Sequence, residues 1–367
     1  MSEKGGSKNY ELQIVRGLPF PAAKWFNRKN IEDALDNMPQ DGDIIIASYP
    51  KTGSTWLQYI VLQILSKGYY FNKMSEEDAS KKCDIQIIRG LPFPAVSWFH
   101  KQNIEEALDY IPEDEDIIIA SYPKTGTTWL QYIVLQILSN GDSFPTFDDI
   151  LYRVVPFVEM TGIGAVKALE KPRVYKHHIP YNMVQKNPKS KYLYIYRNPE
   201  DTLVSYFYFM QDLRKTELDF NEFFEQFLSG NIGYGRYFEH ILSFLEHKDD
   251  ENLLLISYEK LHKNRRKEIL RIAKFLGENY FQQLLENESI INKIIEHTSF
   301  DYMKKNLCLT HPAEKEKGET ASTVACFRKG IVGDGRNVLS AEQQKRLREL
   351  TEKIMAGTNV IKEWLEE

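Results

Sequence analysis

The stretch IIIASYPKTGTTWLQYIVLQILS, Ile117 to Ser139, narrows the fold of this chain more than any other feature. Asp116–Tyr122 is a short β-branched run beside a turn signal and reads as a buried strand. Pro123–Gly126 reads as a loop. Thr127–Leu138 carries apolar residues at helical spacing and reads as a helix opened by threonines. Strand, tight loop and helix in this order aim backbone N–H groups and a helix N-terminus at an anion. Further strands fit Arg173–Lys176, Lys191–Tyr196 and Asn252–Ser257. Helices fit Glu200–Met210, Phe220–Ser229, Tyr234–Glu246, Arg265–Leu276, Tyr280–Asn287 and Ala341–Met355. Such alternation predicts an α/β fold: a P-loop-containing three-layer sandwich whose central, mainly parallel sheet is flanked by helices.

The same stretch occurs a second time. At an offset of 73, residues 1–68 align with 74–141 and 48 of 68 positions are identical. The match begins at Met1, whose MSE returns at Met74, and RGLPFPAAKWF at Arg16 returns as RGLPFPAVSWF at Arg89. Two copies do not make a solenoid, which needs about three stacked units. We therefore expect residues 1–73 to be a duplicated leading segment, an appendage, and 74–367 to be the working domain. The rival is a two-lobed protein with two sites.

The 367 residues are 42% hydrophobic and 27% charged, enough apolar material for a sizeable core. A net charge of −5 argues against a general nucleic-acid binder but allows a local basic cluster around an anion. Cys83, Cys308 and Cys326 form no CxxC pair, so no disulfide framework is expected. No apolar run approaches the ~20 residues that span a bilayer. A start of MSEKGGSKNY lacks the apolar core of a signal peptide. The expectation is a soluble cytoplasmic protein with no nucleic-acid or membrane partner. The runs Asn264–Glu268 and Glu314–Glu319 read as solvated surface.

The loop is not a strict Walker sequence, GxxxxGK[ST], because Lys124 precedes Gly126. Its parts still suit an anion. Gly126 permits close backbone approach, Lys124 supplies a mobile charge, and Thr127 and Thr128 add hydroxyls at the helix start. Trp129 offers a face to a base or fills the core.

At YPKTGTTW the chain resembles the cytosolic sulfotransferases, which move a sulfuryl group from 3′-phosphoadenosine 5′-phosphosulfate (PAPS) to a hydroxyl or amine. The resemblance covers nearly all of residues 85–365 and rests on motifs in the family's order: VPFVE (Val155–Glu159), KPRVYKHHIP (Lys171–Pro180), YRNPEDTLVSYFYF (Tyr196–Phe209), ISYEKLHKN (Ile256–Asn264), HTSFDYMKKN (His297–Asn306) and RKGIVGDGRN (Arg328–Asn337). It implies His178 as general base, selected over His177 by the K-x-H-x-P pattern. It implies Lys124 and Lys176 as stabilisers of the transferring group. Lys124, Thr125, Gly126, Thr127, Thr128 and Trp129 would hold the 5′-phosphosulfate. Arg197, Ser205, Arg328, Lys329 and Gly330 would clamp the 3′-phosphate, and Tyr258, Thr298, Phe300 and Met303 would join Trp129 around the adenosine. Phe157, with Lys176 and His178, would meet the acceptor, and nearby Tyr152 suggests a flat apolar one. No metal is implied. The competing readings are a P-loop nucleotide kinase and a non-catalytic nucleotide-binding relative.

Two departures stand out. Gly335 occupies the place of the family's usual Trp in GDWKN, which is expected to loosen the loop over the donor. RNVLSAEQQK (Arg336–Lys345) keeps little of the family's dimer motif, so a homodimer is left open. Lys124 lies 54 residues before His178 and Lys51 lies 127 before it, so the second copy is expected to hold the site.

Overall fold

A computed structural model gives the architecture and describes residues 12–15, 18–21, 31, 85–142, 147–307, 309–310, 322–324 and 326–365. The chain divides into two compact units, Met1–Tyr70 and Phe71–Glu367. In the first unit, β1 (Leu12–Val15) pairs antiparallel with β2 (Leu18–Pro21). The Lys51 loop lies outside the described residues, as do Cys83, Cys308 and the run Glu314–Glu319.

The second unit opens with the same hairpin in the same register, β3 (Ile85–Ile88) with β4 (Leu91–Pro94). Arg89 and Gly90 both take positive φ, +49° and +84°. Two such residues in succession make the tight turn whose twist suits a hairpin. Helix α1 (Lys101–Asp109) follows and buries Ile104, Ala107 and Leu108.

The central sheet has four strands, all parallel, in the order β6 (Val174–His177), β5 (Ile117–Ser121), β7 (Lys191–Tyr196), β8 (Leu253–Ser257). Every residue of β5 is buried, as a strand between two neighbours and two helical layers should be. At its start Asp116 accepts a bidentate pair from Arg173, Nε at 2.7 Å and Nη2 at 3.0 Å, which fixes β5 beside β6. The α/β architecture matches the expectation. Lys191–Tyr196 has the expected bounds, β5 and β6 differ from theirs by one residue at each end, and β8 by one residue at its start.

Helix α2 (Thr127–Leu138) follows β5, but Gly126, not a threonine, is its N-cap. Thr127 is already helical, and its hydroxyl lies 2.5 Å from the Ser121 hydroxyl. Helix α3 (Pro199–Arg214) starts conventionally: Pro199 takes the first turn, and the Asn198 side chain accepts from the Asp201 N–H. Helices α4 (Phe220–Ser229) and α5 (Tyr237–Leu245) turn apolar faces to the sheet, α4 through Phe223, Phe224 and Phe227 and α5 through Phe238, Ile241 and Phe244. Among the described residues no helix is long and apolar enough to cross a membrane.

Candidate active site

The chain leaves β5 at Ser121 and turns into α2 through two left-handed residues, Lys124 (φ +68°) and Gly126 (φ +110°). A Cβ on Gly126 would stand 2.8 Å from Tyr258 Cδ2 and 3.0 Å from Ile195 Cδ1, so only glycine threads this gap. Lys124 holds the same unfavourable region at a cost of about 1–3 kcal/mol. Its ammonium sits 4.0 Å over the Phe209 ring and donates to the Cys326 carbonyl at 3.4 Å. Burial lowers its pKa, partly opposed by Cys326.

The loop opens onto a cavity of about 640 Å³. Lys124, Gly126, Thr127, Thr128 and Trp129 line it at the phosphate loop. Thr125 does not. Its hydroxyl donates to the carbonyls of Tyr122 (2.8 Å) and Ile195 (3.0 Å), so it fastens the loop to the sheet.

Lys176 and His178 both face this cavity, as alternate residues of an extended segment must. His177 is buried elsewhere, where its Nδ1 accepts from the Ile179 N–H at 3.1 Å. The His178 Nδ1 lies 2.8 Å from the Ser121 carbonyl, which can only accept. The proton therefore sits on Nδ1, and Nε2 keeps its lone pair on the cavity side. Burial, reinforced by the Lys176 ammonium, holds this imidazole well below its ordinary pKa and hence neutral. Phe157 and Tyr234 flank the ring edge-to-face at 5.1 and 5.2 Å. The Lys176 ammonium rests 4.4 Å over Phe157, and burial lowers its pKa to about 8. Tyr152 is not on the cavity wall; it packs half-buried against the core.

At the other end the cavity wall is basic. The Arg197 guanidinium lies 4.2 Å over Tyr258 and donates through Nη2 to Asp201 (3.1 Å) and to the Ile331 carbonyl (2.9 Å). Arg328 and Lys329 both reach Asp334, at 2.5 and 2.7 Å. Burial pushes the Asp334 carboxyl up, but these two donors outweigh it and hold the group below its ordinary range. The Nε atoms of Arg197 and Arg328 are buried without a partner. Ser205 faces the same space from α3, and Gly330 has φ +68° where a side chain would collide with Phe300. Trp129, Tyr258, Thr298, Phe300 and Met303 also line it. Trp129 is packed into the structure as well as lining the cavity: its Nε1–H donates to the Thr298 carbonyl at 2.9 Å, its ring crosses Tyr258 at 5.2 Å, and it is 9% exposed.

Three features escaped the sequence reading. Arg265, in a run taken for solvated surface, lines the cavity with its guanidinium 5.5 Å over Trp129, and Glu268 in that run is buried. Its place at the start of a helix (Arg265–Leu276) was the available signal. Asp201, fully buried, accepts from Arg197, Asn198, Gly333 and Gly335 and so ties α3 to the C-terminal loop. Gly335 does the opposite of loosening that loop. Its N–H donates to Asp201 Oδ1 at 2.7 Å, and a Cβ there would stand 2.5 Å from the Glu200 carbonyl carbon.

A β-strand feeding a glycine-containing loop, a neutral histidine and a cluster of basic side chains thus share one cavity. The family model described as Sulfotransferase domain matches residues 41–111 and 114–359, and the chain belongs to the sulfotransferase family. It is 33% identical to sulfotransferase 1B1 of Canis lupus familiaris over 299 residues, 78% of this chain and 98% of that protein. Against the 3-alpha-hydroxysteroid sulfotransferase of Cavia porcellus it is 35% identical over 280 residues, 73% and 93% of the two chains. The solved structure of mouse sulfotransferase SULT7A1 complexed with PAP superposes with a TM-score of 0.62 at 30% identity, covering 76% of this chain and 98% of that one. Retinol dehydratase, at 22% identity and a TM-score of 0.57, shares the fold. The protein is thus a transferase of sulfuryl groups.

Proposed function

We propose that the cavity binds PAPS at its basic end and transfers the sulfuryl group to the hydroxyl or amine of a small aromatic acceptor at the His178 end. The observation that carries this reading is that a histidine with an unprotonated Nε2 shares one cavity with Lys124, Lys176 and the Arg197–Arg328–Lys329 clamp. The unpartnered Nε atoms of Arg197 and Arg328 fit a phosphate as donors in want of an acceptor. Trp129, Tyr258 and Phe300 supply flat faces for an adenine.

The residue roles follow from placement. The acceptor oxygen attacks sulfur and its proton passes to His178 Nε2. The bond from sulfur to the 5′-phosphate oxygen breaks, and the nucleotide leaves as the 3′,5′-bisphosphate. Lys124 and Lys176 offset the charge that grows on the bridging and sulfuryl oxygens, an electrostatic contribution made in a dry site. Phe157, Tyr234 and Phe209 present the apolar wall that suits a flat acceptor.

Relatives complexed with PAP support this donor. The described structure also gives the second copy a place: its strand is β5, between β6 and β7. We assign the site to Lys124 on that basis and read residues 1–73 as a duplicated appendage to the working domain. Labelled sulfuryl transfer, compared between wild type and His178→Ala, tests the mechanism. Binding of 3′-phosphorylated against unphosphorylated adenosine nucleotides tests the donor. Preference for ATP, or a His178→Ala protein with full turnover, would overturn the reading.

A further inference from the structure

The mechanism above leaves a buried carboxyl and a buried imidazole unused, and both touch the same peptide. Glu159, on the short helix Val158–Thr161, is 0% exposed. Its Oε1 accepts from the His178 N–H at 2.6 Å, and its Oε2 is buried with no partner. On the other side of that residue, His240 of α5 lies with Nε2 2.9 Å from the His178 carbonyl. A carbonyl can only accept, so Nε2 carries the proton. His240 Nδ1 then accepts from the Tyr194 hydroxyl at 2.9 Å. With the ring itself tied to the Ser121 carbonyl, His178 is held at its N–H, its C=O and its imidazole by three separate elements.

We infer that Glu159 and His240 are positioning residues, which grip the two sides of His178 and fix its ring with Nδ1–H on Ser121 and Nε2 toward the acceptor. The inference rests on His178 being the base of the transfer proposed above.

Several observations support a positioning role over ordinary core filling. A carboxyl fully out of water with one oxygen unpartnered is an expensive way to fill a core. Burial raises Glu159 to about 8, so at neutral pH it is an acid whose charge does not cancel the neighbouring Lys176 ammonium. Its protonated oxygen leaves Oε1 as acceptor for the His178 N–H. Burial likewise keeps His240 neutral, with a pKa of about 4, which preserves its donor–acceptor polarity between His178 and Tyr194. Each group therefore holds its contact in the form its surroundings enforce. Glutamine reproduces both features of the neutral Glu159 acid, an acceptor and a donor in the same shape. Alanine reproduces neither.

The test uses the full chain and the variants E159Q, E159A and H240A, with H178Q as the reference for signal assignment. Misplacing a reacting group by about 1 Å costs roughly a hundredfold in rate. E159A and H240A are therefore expected to lower kcat ten- to hundredfold with donor Kd unchanged, and E159Q to stay within about threefold of wild type. The ¹⁵N spectrum of histidine-labelled protein supplies a readout that does not depend on turnover. In wild type the signals lost in H178Q should show a single Nδ1–H tautomer. In E159A or H240A they should show a mixture of tautomers, and in E159Q the single one should return. Unchanged tautomer signals in both folded alanine variants overturn the inference even if the wild type transfers no sulfuryl group. Wild-type activity lost in H178Q but intact in E159A and H240A overturns it while leaving the proposed base in place. Should both alanine variants fail to fold, E159Q decides: a mixed tautomer there also overturns it.

Discussion

Replacing Gly335 by tryptophan should weaken the nucleotide site. The tryptophan that the family resemblance leads one to expect at this point suggests the contrary, that a ring would tighten the loop. The geometry gives the sign. The loop from Arg328 to Asn337 sits on the first turn of α3 through two backbone donors, Gly333 N–H to Asp201 Oδ2 at 2.9 Å and Gly335 N–H to Asp201 Oδ1 at 2.7 Å. Any Cβ at 335 would stand 2.5 Å from the Glu200 carbonyl carbon and 2.8 Å from the Asp201 nitrogen, both backbone atoms that cannot swing aside. Ordinary carbon contacts begin near 3.5 Å, so the loop must retreat by roughly 1 Å. That takes the 2.7 Å bond beyond hydrogen-bonding range. One hydrogen bond to a charged group contributes about 1.5–3 kcal/mol, which converts to roughly ten- to a hundredfold in affinity if the loop's own clamp on the nucleotide is lost with it. Arg328 and Lys329 are anchored on Asp334 of the same loop, so they retreat too.

The assay is calorimetric titration of wild type, G335A and G335W with adenosine 3′,5′-bisphosphate and, as control, adenosine 5′-phosphate. Both variants should lose affinity for the bisphosphate and much less for the monophosphate, because the moving residues belong to the clamp proposed for the 3′-phosphate. G335A should reproduce most of the effect, since the first carbon makes the clash. A G335W protein that binds the bisphosphate as tightly as wild type, or more tightly, refutes this reasoning.

Three further outcomes follow from the same structure. Lys124→Met should lower kcat by about a hundredfold, the usual scale for removing a group aimed at developing charge, while Lys51→Met leaves steady-state rates within twofold; equal losses would mean the first copy reaches the sheet. Lys176, lowered to about 8 by burial, carries its charge below that pH and loses it above, while Glu159, raised to about 8, gains a negative charge over the same range. Affinity for the bisphosphate measured between pH 7 and 9 should therefore fall as pH rises, and Lys176→Met should flatten most of that fall. Met210 and Leu213 line the same cavity as the proposed acceptor wall, so Met210→Ala and Leu213→Ala should raise acceptor KM several-fold and leave nucleotide Kd unchanged, which separate titrations can check.

How far the residues alone disclosed this site depended on where each partner lies in the chain. Lys191–Tyr196 and Phe220–Ser229 were legible because their signals are local: an unbroken run of β-formers in one, and helically spaced phenylalanines in the other. The hairpin Ile85–Pro94 was not assigned, since its prolines speak against a strand and its turn rests on Arg89 adopting a left-handed conformation. The residues proposed to react were nameable because motifs specify side-chain types. Their supports were not. Glu159 acts on a backbone N–H 19 residues away, and Asp201 holds a loop 132 residues away. Such bonds leave no periodicity or spacing in the sequence. Gly335 was misjudged for the same reason: a missing ring is visible in a sequence, whereas the nearness of another backbone is not.

The helix α3 has a consequence for how such an enzyme can be retuned. Its residues Ser205, Phe209, Met210 and Leu213 all border the cavity. The distance from Ser205 to Leu213 is about 12 Å at 1.5 Å per residue. Under the proposed function, one rigid rod would carry a donor contact at Ser205 and acceptor contacts about two turns on. On that reading the helix is a ruler with the donor at its zero mark: acceptor choice would be recut at Met210 and Leu213, a turn or more from Ser205, without re-machining the end proposed to read the nucleotide.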